Sequence, residues 1–216
     1  MKYRGMEIHW LGHDSFRIIG RKIIYIDPFK VSAVPRVEKA EIILITHPHY
    51  DHCSLEDIEK VSRDGTKIIT HADCQSKIAR LPVKVEIIPI SVGKKLELGG
   101  VEIEAVPAYN IGKQFHQRQQ EWLGYIITMN DKRIYHAGDT DLIPEMKNFK
   151  VDVALLPVSG TYVMTAEEAV KAAQVILPDL AIPMHYNSIV GSEADADHFI
   201  EGCRKLGIKV EKLPKF

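Results

Sequence analysis

Apolar and polar side chains alternate over residues 6–10, 15–19 and 22–26, with turn residues between the runs, which predicts three strands in an antiparallel meander. Asp27 and Pro28 end the third strand, because a proline cannot donate to a sheet ladder. Residues 42–45 are wholly apolar and read as a buried strand. Ser54 then serves as an N-cap ahead of Glu56 and Asp57, while Leu55, Ile58 and Val61 recur at helical spacing. A strand at 67–70, a helix at 72–80 and a strand at 85–88 make a βαβ unit. His71, at its first boundary, suits a structural or capping role.

The second half begins again with strands. Residues 95–98 and 101–106 form a hairpin around Gly99 and Gly100, and 122–129 with 132–136 form another around Asn130 and Asp131. A buried strand at 151–156 follows. Thr165 to Glu168 is a capping box for a helix through Ile176. A strand at 180–183, a helix from Ser192 to about Leu206 and a short strand at 208–211 complete the chain. Residues 30–39 and 108–121 lack periodicity and are expected loops, with Val31, Val34 and Phe115 as exposed apolar side chains for a pocket wall or a subunit contact. Both halves run from meander to βα units, without a linker or repeat, so the expectation is one α/β domain over 1–216 with two layers of sheet.

The 216 residues are 45% hydrophobic and 26% charged, ordinary for a globular protein. A formal net charge of −1 gives no electrostatic case for nucleic acid or an anionic membrane. No apolar run approaches the roughly 20 residues of a membrane-spanning helix, and the first residues lack a signal-peptide core, so a cytoplasmic location is expected. Three cysteines, Cys53, Cys74 and Cys203, fit a reducing compartment. Cys53 adjoins His52, but a small buried apolar role suits it better than metal ligation.

The chemistry concentrates at the end of the apolar run 42–45. His47, His49, Asp51 and His52 follow it at once, where a strand's C-terminal loop places a site in α/β sheets. Imidazole and carboxylate suit a borderline divalent metal, zinc above all. Four such groups cannot all serve one tetrahedral ion that keeps an open position. The economical arrangement is two metals, His47 and His49 on one, Asp51 and His52 on the other.

This H-x-H-x-D-H pattern resembles the signature of the metallo-β-lactamase superfamily. Gly138, Asp139 and Thr140, then Pro183, Met184, His185 and Tyr186, stand downstream in the family's order, and Leu11, Gly12, His13 with Asp27 and Pro28 stand upstream. Within the superfamily the chain looks most like the lactonase-like branch that includes L-ascorbate-6-phosphate lactonase. The resemblance implies a four-layer αββα sandwich with the metals at the edge between the sheets. It implies Asp139 as the carboxylate shared by both ions, since two nearby cations repel and need an anion between them. It implies His185 as the last ligand of the second metal. His13 suits a turn, an outer-shell or a substrate-binding role.

The superfamily's third histidine for the first metal is missing from its usual place, which reads Pro107, Ala108, Tyr109, Asn110. His116 is the nearest candidate, either reaching back as ligand, the preferred reading, or contacting substrate. Tyr109, Asn110 and His13 are further candidate substrate contacts. Two ions, zinc by preference with manganese or iron as substitutes, would lower the pKa of a bridging water toward neutrality, and the hydroxide would attack a small-molecule ester, lactone or phosphoester, with Asp51 orienting it. A phosphodiesterase of nucleic acid or phospholipid is the alternative, disfavoured by the neutral charge. A non-hydrolytic redox protein is the third, although diiron relatives carry glutamate where this chain has His49. The expected partner is a small molecule, and a homo-oligomer is compatible with the sequence.

Overall fold

The computed structural model describes residues 1–31 and 37–216. The first sheet has seven strands in chain order: β1 (Lys2–Tyr3), β2 (Met6–Gly12), β3 (Ser15–Ile19), β4 (Ile23–Ile26), β5 (Ile42–Ile45), β6 (Lys67–Thr70) and β7 (Glu86–Pro89). The first four pair antiparallel and the last four parallel. The second sheet holds β8 (Lys95–Glu97), β9 (Glu102–Pro107), β10 (Leu123–Met129), β11 (Lys132–His136), β12 (Val153–Pro157) and β13 (Leu180–Met184), antiparallel up to β11 and parallel beyond. The helices are α1 (Leu55–Val61), α2 (Gln75–Ile78), α3 (Ala166–Ile176) and α4 (Glu193–Lys205).

The period of two along β5 explains the layering. Ile42 and Leu44 face the core between the sheets, where Phe16, Ile127 and Ile134 also lie. Ile43 and Ile45 face the other way, onto Ile58 and Val61 of α1 and Ile78 of α2. The helices α3 and α4 cover the second sheet through Ala169, Ala172, Phe199 and Ile200. The order is helices, sheet, sheet, helices, the αββα sandwich that the resemblance implies.

Several boundaries depart from expectation. The stretch expected as a helix at 72–80 is a 3₁₀ turn, Ala72–Cys74, followed by one turn of α-helix. His71 caps it, accepting from the Asp73 amide at 3.3 Å. Residues 208–211 make no strand; Val210 has only an isolated bridge to Ala181. Val31 is buried rather than exposed, because the Asp57 carboxylate accepts from the amides of both Lys30 and Val31 at 3.0 Å and draws the loop onto α1. Phe115 is half exposed, as expected, and Val34 lies outside the described residues. No helix is long and apolar enough to cross a membrane among the described residues.

Candidate metal centre

Five segments converge at one end of the sandwich, all from loops after strands. The β2–β3 turn brings His13 and Asp14, the loop after β5 brings His47 to His52, and the β9–β10 loop brings His116. Asp139 follows β11 and His185 follows β13. Several of these turns need unusual backbone: His13, Asp27, His116 and His185 all have left-handed φ, between 42° and 58°. Non-glycine residues seldom adopt this region, and its cost is tolerated mainly at functional sites. Gly138, ahead of Asp139, has φ of 63°, and a Cβ there would sit 2.8 Å from the Leu123 carbonyl oxygen. Only glycine lets that turn pass so close to β10.

The donor atoms fall into two neighbouring groups. In the first, His47, His49, His116 and Asp139 each offer an atom within 4.8 Å of the others. His49 Nδ1 lies 3.0 Å from His47 Nε2 and 3.1 Å from His116 Nε2. In the second, His13, Asp51, His52 and His185 do the same. Asp139 reaches both. Its Oδ2 is 3.1 Å from His116 Nε2 and 3.8 Å from His47 Nε2, while its Oδ1 is 3.4 Å from His52 Nε2 and 3.5 Å from His185 Nε2.

Outer partners fix the imidazole orientations. Asp27 accepts from the Thr46 amide at 2.8 Å, from the Thr46 hydroxyl at 2.6 Å and from His52 Nδ1 at 2.8 Å. Having donated to Asp27, the Thr46 hydroxyl can accept from His47 Nδ1, 2.9 Å away. His116 Nδ1 faces the Tyr162 carbonyl at 3.2 Å, and Ser159 Oγ lies 2.8 Å from His185 Nδ1. Each partner can accept a hydrogen bond from Nδ1, which would leave the Nε2 lone pair toward the centre when a metal is bound, the usual support for a metal-ligating histidine. Trp122 stacks on His47 at 4.9 Å and walls the first group.

Charge differs between the groups. Burial lowers His47, His49 and His116, so they stay neutral. Burial would also lower His52 and His185, but Asp139 and Asp27 hold His52 well above its ordinary value, and Asp14 and Asp139 carry His185 up to about 9. Burial would raise Asp139, yet His52 and His185 hold it well below the usual carboxylate range. Burial would raise Asp51 too, but its bond to His13 holds it at about 2.

The set is short of partners. His52 Nε2, Asp139 Oδ1 and both Asp14 oxygens are buried with no hydrogen-bond partner. Orphaned buried polar atoms are rare, and these face one another. A divalent cation satisfies them, so the residues present fit a metal.

Two sequence candidates sit elsewhere. Tyr109 was expected to meet substrate, but its hydroxyl donates to Glu145 at 2.9 Å and it borders a separate cleft with Arg118 and Trp122. Asn110 is buried behind the site; its amide donates to the carbonyls of Tyr162 at 2.5 Å and Phe115 at 3.1 Å, so it braces the His116 loop. His13 lies in the second donor group and also lines the cavity above. Asp14, Ser159 and Tyr162 carried no candidate role in the sequence. A carboxylate beside His13 in an otherwise apolar turn was the only signal for Asp14. Cys53 is buried among apolar residues and belongs to no donor group among the described residues.

A cavity of about 230 Å³ opens over both groups. His13, His49, Asp51, His116, Asp139 and His185 form its polar floor, and Tyr50, Phe115, Tyr162, Ile189 and Val190 its walls.

Comparison with known proteins gives a consistent picture. The family described as the beta-lactamase superfamily domain matches residues 7–185. A UPF0173 metal-dependent hydrolase of Pyrococcus horikoshii is 36% identical over 218 residues, covering 95% of this chain and 94% of its own. The crystal structure of a protein from Parabacteroides distasonis assigned as a metal-dependent hydrolase superposes with a TM-score of 0.82 at 34% identity, over 96% of this chain and 92% of that one. Igni18, a metallo hydrolase from Ignicoccus hospitalis, gives a TM-score of 0.80 at 26% identity, over 97% and 95%.

Proposed function

This chain belongs to the β-lactamase superfamily and is a metal-dependent hydrolase of it; on that premise we propose that it holds two divalent ions and hydrolyses a small uncharged ester or lactone. The observation that carries the two-metal reading is Asp139, whose two oxygens divide between two separate sets of imidazoles. His47, His49 and His116 would hold one ion with Asp139; Asp51, His52 and His185, with His13 beside them, would hold the other. Such ions, when bound, lower the pKa of water toward neutrality and polarise the bond under attack.

The protein's own residues then orient and exclude. Asp51, fixed by His13 Nε2 at 2.9 Å, sits at the cavity floor as an ionised carboxylate that would orient the attacking water. Tyr50, Phe115 and Ile189 hold an apolar substituent against that floor. No lysine or arginine lines the cavity among the described residues, whereas sites for phosphate groups usually supply one. That favours an uncharged ester or lactone over a phosphoester. Zinc is the preferred ion for the histidine-rich group.

The test is elemental analysis of purified protein beside a hydrolysis panel of aryl esters, alkyl lactones and bis-p-nitrophenyl phosphate. About two metals per chain, with turnover of the uncharged substrates and its loss on chelation, is the expected result. One metal per chain at saturation removes the two-metal reading, and faster turnover of the phosphodiester overturns the substrate class.

A further inference from the structure

Asp14 stands outside the function described so far. It is fully buried, and neither carboxylate oxygen has a hydrogen-bond partner. Its backbone is held in place: the Asp14 carbonyl lies 2.8 Å from His136 Nε2. Its side chain points at the second donor group. Oδ2 is 3.7 Å from each of the Nε2 atoms of His13, His52 and His185. With His52, Asp139 and His185 it forms a further group of donors within 4.8 Å of one another. Two donors held by one divalent ion at roughly 2.1 Å each lie about 3 to 4 Å apart, so these separations are those of atoms around a common centre.

We propose that Asp14 is a metal ligand of the second centre and shifts its relative affinity from zinc toward manganese(II), an inference that rests on the two-metal reading above. The groups then differ in kind. The first offers three imidazoles and one shared carboxylate oxygen, the four-donor set that suits zinc. The second gains a third carboxylate, beside Asp51 and Asp139, and more than four donors. Harder, oxygen-rich sites with higher coordination numbers suit manganese. A buried carboxylate without a partner is costly unless a cation compensates it, which explains how an acid persists there.

The experiment uses full-length protein, stripped with a chelator, reloaded with one equivalent of zinc and titrated with Mn²⁺, the free ion being read by electron paramagnetic resonance. Wild type should bind one Mn²⁺ per chain. Asp14→Ser should weaken Mn²⁺ by at least the roughly tenfold that loss of even an outer-shell partner brings, with retention of the first zinc unchanged. Asp14→Asn, which keeps the shape and one oxygen donor, should fall between and serves in place of the serine variant if that chain does not fold. Titration of the same vacant centre with further zinc gives the selectivity. A larger loss for Mn²⁺ than for Zn²⁺ supports the proposal; equal losses for both ions mean that Asp14 only packs the site and overturn it. Wild-type Mn²⁺ affinity in the variant overturns it while leaving two metals in place. A wild type that takes up a single ion of any kind overturns the two-metal reading and this inference together.

Discussion

The two donor groups share one carboxylate yet solve opposite electrostatic problems. The histidine-rich group keeps its imidazoles neutral through burial, and its outer partners are a hydroxyl and a carbonyl, Thr46 and Tyr162. The acid-rich group gathers Asp14, Asp51 and Asp139 around His52 and His185, with Asp27 behind. Without metal its histidines take up protons instead. The contrast teaches that the imidazoles of the first group are neutral and ready for a cation, whereas His52 and His185 of the second are already protonated and exchange protons for one.

The shared residue gives the largest expected effect. Asp139→Ala removes an oxygen from both groups, so activity should fall by more than the roughly hundredfold that outer partners carry, with metal content dropping to one ion or fewer. Elemental analysis and kcat/KM report this, and retention of two ions would break the idea of a shared ligand. Asp27→Asn should fall hardest on the acid-rich side: it weakens that metal by about 10- to 100-fold through His52 and the other by less, through Thr46 and His47. Stepwise metal titration separates the two.

Proton linkage sharpens the contrast further. In chelated protein, burial pushes Asp14 up to about 8, and His185 sits at about 9. Both pKa values are raised on folding, so the folded chain binds protons that the unfolded chain releases at about 4 and 6.5. Stability from these groups is complete below those values and is lost as pH rises, through 8 for Asp14 and 9 for His185. Urea midpoints of chelated protein should therefore fall between pH 7 and 9, and those of metal-loaded protein should stay nearly flat. The neutral His47, His49 and His116 add nothing to that fall. The smallest effects belong to the back of the first group. Asn110→Ala should loosen the His116 loop and raise the metal dissociation constant there by a few-fold to about tenfold. Tyr109→Phe should leave kcat/KM unchanged, since its hydroxyl bonds Glu145 away from the cavity.

What the sequence disclosed followed from local periodicity. The unbroken apolar run of β5 and its abrupt end at Thr46 locate the metal loop, and the capping box at Thr165 locates α3, because each signal lies within a few adjacent residues. Tyr109 and Asn110 were misplaced as substrate contacts because proximity to the metal loop along the fold does not fix direction. The chain leaves β9 so that Tyr109 faces Glu145 and Asn110 packs under His116. Asp14 was illegible for a different reason. Its meaning depends on a left-handed His13 and on a backbone bond from the His185 amide to the His13 carbonyl at 3.1 Å, which joins the two sheets beside the site. No pattern within one segment encodes a contact between the first hairpin and the last strand.

The order of the donors along the chain also bears on how the protein is made. Asp14 and the loop from His47 to His52 belong to the first sheet, whose seven strands are contiguous in sequence, whereas His116, Asp139 and His185 arrive later. The chain is made from its N-terminus, while a domain folds as a unit. Until the second sheet has emerged, His47, His49, Asp51 and His52 have neither the shared carboxylate nor the last histidine beside them. The histidine-rich centre lacks a donor until Asp139 has emerged, and the acid-rich centre until His185 has docked against His13, so the second centre selects its ion only after that docking.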